Sequence, residues 1–325
     1  MTTGLIAVLA ALSLPPVSRD TVPLYTDLGT LEVPITTSAP LAQRYFDQGM
    51  RLTYAFNHPE AIRSFQAALA QDSTCAMCWW GVAFALGPNI NAPMDSASGM
   101  AAWRAAREAA RLALNATPRE QAYIRALQAR YSDPPASPRA ALDTAYAEAM
   151  LAVAQAWPDD PDAATLAADA LMNLSPWFYW TPSGEPRPAT PGILAMLEAV
   201  IARLPNHPGA CHLYIHAVEA AEPEKAVPCA ERLAGLMPGA GHLVHMPAHI
   251  YIRVGRFADA VQANQHAVHV DETFIQDQRP TGMYAMGYYP HNYHFLAFAA
   301  TMSGQRAIAL ESAQLQPEYY RCWQG

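Results

Sequence analysis

From Leu41 onward, apolar residues return every third or fourth position, the spacing that gives a helix one buried face. The pattern predicts helices at 41–55, 60–70, about 74–87, 99–115, 118–132, 137–156, 161–174, 192–204, 209–221, 224–236, 241–254, 257–270, about 289–302 and 304–314. Ala, Leu, Arg and Glu dominate many of them, and all are good helix formers. Breaks fall at Asn57-His58-Pro59, Gly87-Pro88-Asn89 and Pro158-Asp159-Asp160-Pro161. Pro59 suits the first turn of a helix, where its missing donor costs nothing. No stretch alternates convincingly enough to be a strand. The chain is therefore expected to be all-α.

The organisation expected is a single helical-repeat domain over 41–314, interrupted by an aromatic and Pro-rich loop at 175–191. An extended lead-in at 21–40 precedes it, and a tail at 315–325 follows. The apolar run Leu5–Leu14 is too short to span a bilayer and reads as the core of an export signal within 1–20, although no Lys or Arg precedes it. That points to a periplasmic or secreted protein, with the cytoplasm left open.

Regular pairing of helices suggests repeats. Ala61, Phe65 and Ala68 follow Gly49 in a spacing that resembles the tetratricopeptide repeat (TPR). Segments 212–226 and 245–260 look like successive copies, and His212 to His245 and His216 to His249 are each 33 residues apart, close to that family's period. The resemblance is good over 41–87 and 208–270 and weaker over 99–174 and 289–314. AFNHPEAIRSFQAAL (55–69), CAMCWWGVAFALGPNINAPM (75–94), HPGACHLYIHAVEA (207–220) and GHLVHMPAHIYIRVGRFADAV (241–261) further resemble a group of poorly characterised bacterial exported TPR proteins with His-rich repeats. The resemblance implies a superhelix of antiparallel helical hairpins, with the first helix of each hairpin lining a concave groove. It implies no particular reaction.

Composition narrows the partners. Among 325 residues, 20 basic and 28 acidic side chains give a net charge of −8, which argues against a broadly basic nucleic-acid surface. No later run is long and charge-free enough for a membrane span. Five cysteines fit no complete disulfide set. Cys75 and Cys78 form one CxxC, either a bridge or two buried thiols. Cys211 and Cys229 would face each other if their helices form a hairpin.

Histidine carries the chemistry. His212 and His216 are four apart, with Glu219 back on the same helix face. His242, His245 and His249 share one face of a later helix, and His291 and His294 lie three apart on another. Neutral imidazole is a good ligand for copper, zinc or iron, and stacked hairpins would bring the three helices alongside. The metal set expected is His212, His216, His245, His249, His291 and His294, shared three plus three as in a coupled two-copper centre that handles oxygen. His242 and Glu219 are then candidates for catalytic or ligand-orienting roles. A mononuclear copper or iron site, a zinc hydrolase with Glu219 as base, a metal storage or delivery protein, and a metal-free scaffold for a peptide or partner protein are the alternatives. HExxH, GxSxG, a phosphate loop and a dinucleotide fingerprint are all absent from the sequence.

His58 and His207 precede Pro and read as turn residues, while His266 and His269 belong to an outward-facing second helix. Trp80, Trp177, Trp180, Tyr289 and Tyr293 are the candidate walls of a substrate pocket, the 175–191 loop its cover. The sequence thus points to a copper-dependent oxidoreductase, iron being second, that acts with dioxygen on a small molecule or peptide.

Overall fold

The computed structural model describes residues 22–132, 138–280 and 282–322, with side chains to 315. The expected export segment at 1–20 lies outside them. Seven antiparallel hairpins are formed among the described residues. They are α1 (Pro40–Tyr54) with α2 (His58–Gln71), α3 (Ala76–Ala85) with α4 (Ser96–Leu112), and α5 (Pro118–Gln128) with α6 (Arg139–Ala156). Then come α7 (Pro161–Met172) with α8 (Thr190–Arg203), and α9 (Pro208–Val218) with α10 (Val227–Leu236). In the sixth, α11 (Gly241–His245) and α12 (Pro247–Arg253) together oppose α13 (Phe257–Gln278); the seventh is α14 (Tyr289–Met302) with α15 (Arg306–Cys322). No strand occurs among the described residues, only isolated bridges at Asn89–Ala92 and Trp180–Pro186. No helix among them is long and apolar enough to cross a membrane. The chain is an all-α, TPR-like helical repeat.

The repeat signature has a steric cause. Phe65 of α2 is wedged against Gly49 of α1 and Gly81 of α3, and neither position has room for a side chain. Its ring is fully buried and packs on Phe46 at 5.4 Å between centroids. Helix starts follow the local chemistry. Asn57, Asp95 and Asp160 accept backbone N–H groups, and Thr117 with Glu120 forms a reciprocal capping box.

Three expectations about elements change. The helix expected at 241–254 is broken at Met246, because Pro247 has no N–H to continue the ladder. The helix expected at 257–270 runs on to Gln278, and the last helix continues to Cys322, through most of the segment expected as a tail. A π-helical turn, Tyr284–Tyr288, leads into α14.

The lead-in is extended and tied down. Tyr25 and Val33 donate their N–H groups to Gln48 and Asp47 of α1, at 2.8 Å each. Thr36 bonds Glu120 of α5, and Asp27 O accepts from Gly239 N just before α11. Tyr25 also packs on Phe274 of α13. The strap thus joins the first hairpin to the sixth, and α1 meets α9 directly. The groove between them is closed rather than open. Both cysteine pairs left undecided are bridged, Cys75 to Cys78 and Cys211 to Cys229.

Candidate metal centre

The interior of this closed stack holds the histidines. His212 and His216 come from α9, His242 and His245 from α11, His249 from α12, and His291 from α14. The first five are buried and His291 is half-buried. They form two clusters: His212, His216 and His242 in one, His245, His249 and His291 in the other. Within each, one ligand atom per residue lies within 4.8 Å of the others. The break at Pro247 ends the regular helix between His245 and His249, yet their ring centroids stay 4.8 Å apart.

Four rings are fixed through Nδ1. His212 Nδ1 faces Tyr54 O at 2.6 Å, and His245 Nδ1 faces Asn264 Oδ1 at 2.7 Å. His216 and His249 Nδ1 face the two oxygens of Glu219, at 3.0 and 2.8 Å. A carbonyl or carboxylate oxygen only accepts, and Asn264 Nδ2 already donates to Ala260 O at 2.7 Å. In each case, then, Nδ1 carries the proton and Nε2 keeps its lone pair. The Nε2 atoms of His216, His245 and His249 are buried with no protein partner, as is His242 Nδ1. His242 Nε2 instead faces His212 Nε2 at 3.2 Å. Two nitrogens bound about 2.0–2.1 Å from one ion in tetrahedral array stand about 3.3 Å apart. An unpartnered buried nitrogen costs on the order of 1–3 kcal/mol, so four of them make an expensive interior unless something accepts their lone pairs.

Electrostatics favours the neutral ligand form. Burial, then the neighbouring imidazoles, pushes His212, His242 and His245 well below the usual histidine range. Burial also lowers His216, and takes His291 down to about 3. Burial alone would raise Glu219, but the charge of His249 and the hydrogen bonds from His216 and His249 outweigh it and hold the carboxyl well below its ordinary value. An ionised Glu219 thus sits behind His216 and His249, bonded to Nδ1 of each, the arrangement in which an outer carboxylate orients metal-binding histidines. His216, Glu219 and His249 also form a third close group.

Aromatic rings wall the centre. Phe56 lies 4.4 Å from His212 and 5.6 Å from His242, Tyr288 lies 4.5 Å from His242, and Trp177 meets His216 edge-on at 5.0 Å. Phe295 covers the second cluster, 4.5 Å from both His249 and His291. Phe56 and Trp177 both have left-handed φ, +56° and +68°. The conformation costs a bulky side chain about 1–2 kcal/mol.

The observed grouping differs from the expected ligand set in one member. His294 is exposed on α14 and belongs to neither cluster. His242 takes the sixth place, its ring meeting those of His212 and His216 at 4.9 and 6.3 Å. Of the expected pocket walls, Trp177 meets a histidine ring, that of His216. Trp80 is core, stacked on Phe84 and donating to Tyr123 O. Trp180 is half-buried and donates to Ala217 O. Tyr289 and Tyr293 are buried and share Glu272. His58 and His207 are turn residues as read: His207 Nδ1 caps α9, and His58 Nδ1 donates to Phe56 O. His266 and His269 are exposed on α13. Phe56, Phe295 and Asn264 are not evident from the sequence, where only the Phe beside Asn-His-Pro hints at a constrained corner; Tyr288 belongs to the tyrosine group that flanks His291 and His294 in the sequence.

No family model matches this sequence, and no curated protein is similar to it. Among solved structures, it is similar to MamA from Desulfovibrio magneticus RS-1 (16% identity, 57% of this chain and 89% of that one, TM-score 0.43). A human IFIT1 dimer with PPP-AAAA is similar at 14% identity, over 85% of this chain and 72% of that one, with a TM-score of 0.43. The C-terminal part of a TPR repeat-containing protein from Cytophaga hutchinsonii is similar at 14% identity, over 82% and 92%, with a TM-score of 0.35.

Proposed function

We propose that this protein is a metalloprotein that holds copper in its two three-histidine clusters and works as an oxidoreductase, using dioxygen to oxidise a small organic molecule or peptide. Iron is the second choice. One observation carries the proposal: six imidazoles converge as two triads, four of them anchored through Nδ1, with unpartnered nitrogens left in the interior. Imidazole-only donors with no thiolate among them suit copper, which binds such sites most tightly of the divalent first-row metals. Bound copper would supply reversible one-electron chemistry of the kind dioxygen requires.

The residues have distinct tasks. His212, His216 and His242 would hold one ion, and His245, His249 and His291 the other. Glu219, Asn264 and the Tyr54 carbonyl keep four rings in the tautomer that binds metal. Glu219 is a positioning residue, since both its oxygens are engaged with ring nitrogens. Phe56, Trp177, Tyr288 and Phe295 limit water, which strengthens electrostatic interactions inside. Two disulfides suit an oxidising compartment and support the export reading.

Elemental analysis of untagged protein, with spectra recorded with and without dioxygen, tests the proposal. About two copper ions per chain and an oxygen-dependent absorption change are expected. Zinc alone would favour a hydrolase, freely exchanging metal a storage or delivery role, and absence of metal after copper loading a scaffold for partner proteins.

A further inference from the structure

A cavity of about 180 Å³ adjoins the first cluster. His58 and Ile62 of α2, the turn carrying Asn89, Met94, Met283 just before the π turn and Tyr288 within it line the cavity. Phe56 and Tyr288 form the partition, since each faces the cavity and also packs on His242. Phe56 ends α1 where a left-handed residue is required: its N–H bonds Thr53 O and that of Asn57 bonds Leu52 O, with φ at +56°. Glycine normally fills such a position. A phenylalanine held there against backbone preference marks the ring itself as the useful part.

The lining states what would fit. A cavity of about 150 Å³ accepts benzene, so this one has room for a single ring with a small substituent. Among the described residues no Lys or Arg lines it, and the one carboxylate that does, Asp95, is exposed at the rim with its oxygens engaged by Ser98 N and Oγ at 2.8 Å each. Arg130, behind the same turn, donates to Pro88 O and lies over Tyr146. Nothing here pairs with a phosphate or carboxylate. His58 Nδ1 donates to Phe56 O at 3.2 Å, which leaves Nε2 as an acceptor for an incoming hydroxyl. Met94 and Met283 add adaptable thioether walls.

We infer that this cavity is the substrate chamber of the His212/His216/His242 cluster, and that it takes a small uncharged single-ring molecule bearing one hydroxyl, the phenol class. The inference rests on the two-cluster metal reading, and the experiment separates the two. Phenol is titrated into the full-length, metal-free protein, with its methionine methyl groups observed by NMR. The expected result is saturable binding with shifts confined to the Met94 and Met283 methyls. Ile62→Trp and Ala92→Phe, which fill the chamber, each weaken binding about tenfold or more. His58→Phe abolishes an advantage of about fivefold for phenol over toluene. No saturable binding, shifts at other methionines, or binding indifferent to both filling variants overturns the inference. Copper uptake is measured on the same preparation. Phenol binding without copper uptake sinks the metal reading and leaves the chamber; copper uptake without phenol binding sinks the chamber alone.

Discussion

His212 and His242 point their Nε2 atoms at each other across 3.2 Å of buried space. His212 already gives its Nδ1 proton to Tyr54 O, so only His242 can carry a proton between the two rings. Doing so strips Nδ1 of His242, which has no partner either. One cation between the facing nitrogens removes the conflict.

The two clusters should therefore be separable. His212→Ala is expected to lower copper from about two to about one ion per chain, and His245→Ala to remove the other. Inductively coupled plasma measurement decides it. Loss of both ions from either single variant would mean one shared site.

Glu219 serves both clusters, so Glu219→Gln should weaken both. A glutamine offers one acceptor oxygen, and its amide turns the other ring toward the wrong tautomer. Copper affinity should fall about 10–100-fold, as for other outer-shell changes. Asn264→Ala, which touches only His245, should weaken one ion alone. Competition with a chelator of known affinity distinguishes a two-ion loss from a one-ion loss.

The Cys211–Cys229 bridge closes a short loop between α9 and α10, beside His212. Their sequence separation of 18 corresponds to about 3 kcal/mol of denatured-state restriction. Cys211→Ala with Cys229→Ala should cost about that much in urea unfolding. Unchanged stability in the double variant, with the bridge verified in the parent, would contradict this role.

Asp271 gives a pH signature independent of metal. Burial pushes its carboxyl from the ordinary 3.8 up to about 7, against hydrogen bonds from Tyr284 and Asn292. The folded state then holds a proton that the unfolded chain releases near pH 4. Stability should accordingly be complete below about pH 4 and fall as pH rises through 7. Asp271→Asn should flatten that fall, since Asn292 Oδ1 is unpartnered and can accept the new amide. Thermal melts from pH 4 to 8 measure the slope, and equal slopes in both proteins would refute the assignment.

Phe56→Gly relieves a left-handed backbone but removes a buried ring. About 1 kcal/mol is regained and about 3–5 kcal/mol lost, so a net loss of a few kcal/mol is expected. The partition also opens, and a chelator should strip the first cluster faster than in the parent protein. Stopped-flow copper release reads this directly.

The helices and the gathering of histidines were legible because both depend on period. A face repeated every 3.6 residues identifies a buried stripe, and a 33-residue interval places His216 and His249 in matching repeats. Cluster membership depends on rotations that period does not encode. His291 and His294 have equivalent spacing, yet the entry of α14 from a π turn leaves only His291 inward. Trp80 failed as a pocket wall for a related reason: an aromatic on the buried side of a first helix can meet either the groove or the next hairpin. Asn264 was hidden because it reaches inward from a second helix.

The strap from Val22 to Ala39, with Asp27 bonded to Gly239, joins the first hairpin to the sixth of what would otherwise be a linear array. In an ordinary solenoid each unit answers only to its neighbours, and units can be gained or lost. Here the first hairpin supplies Tyr54 and Phe56 to imidazoles that come more than 150 residues later. Deleting or duplicating one unit would misalign that partnership, so this architecture trades the modularity of its class for a fixed number of parts that must melt together.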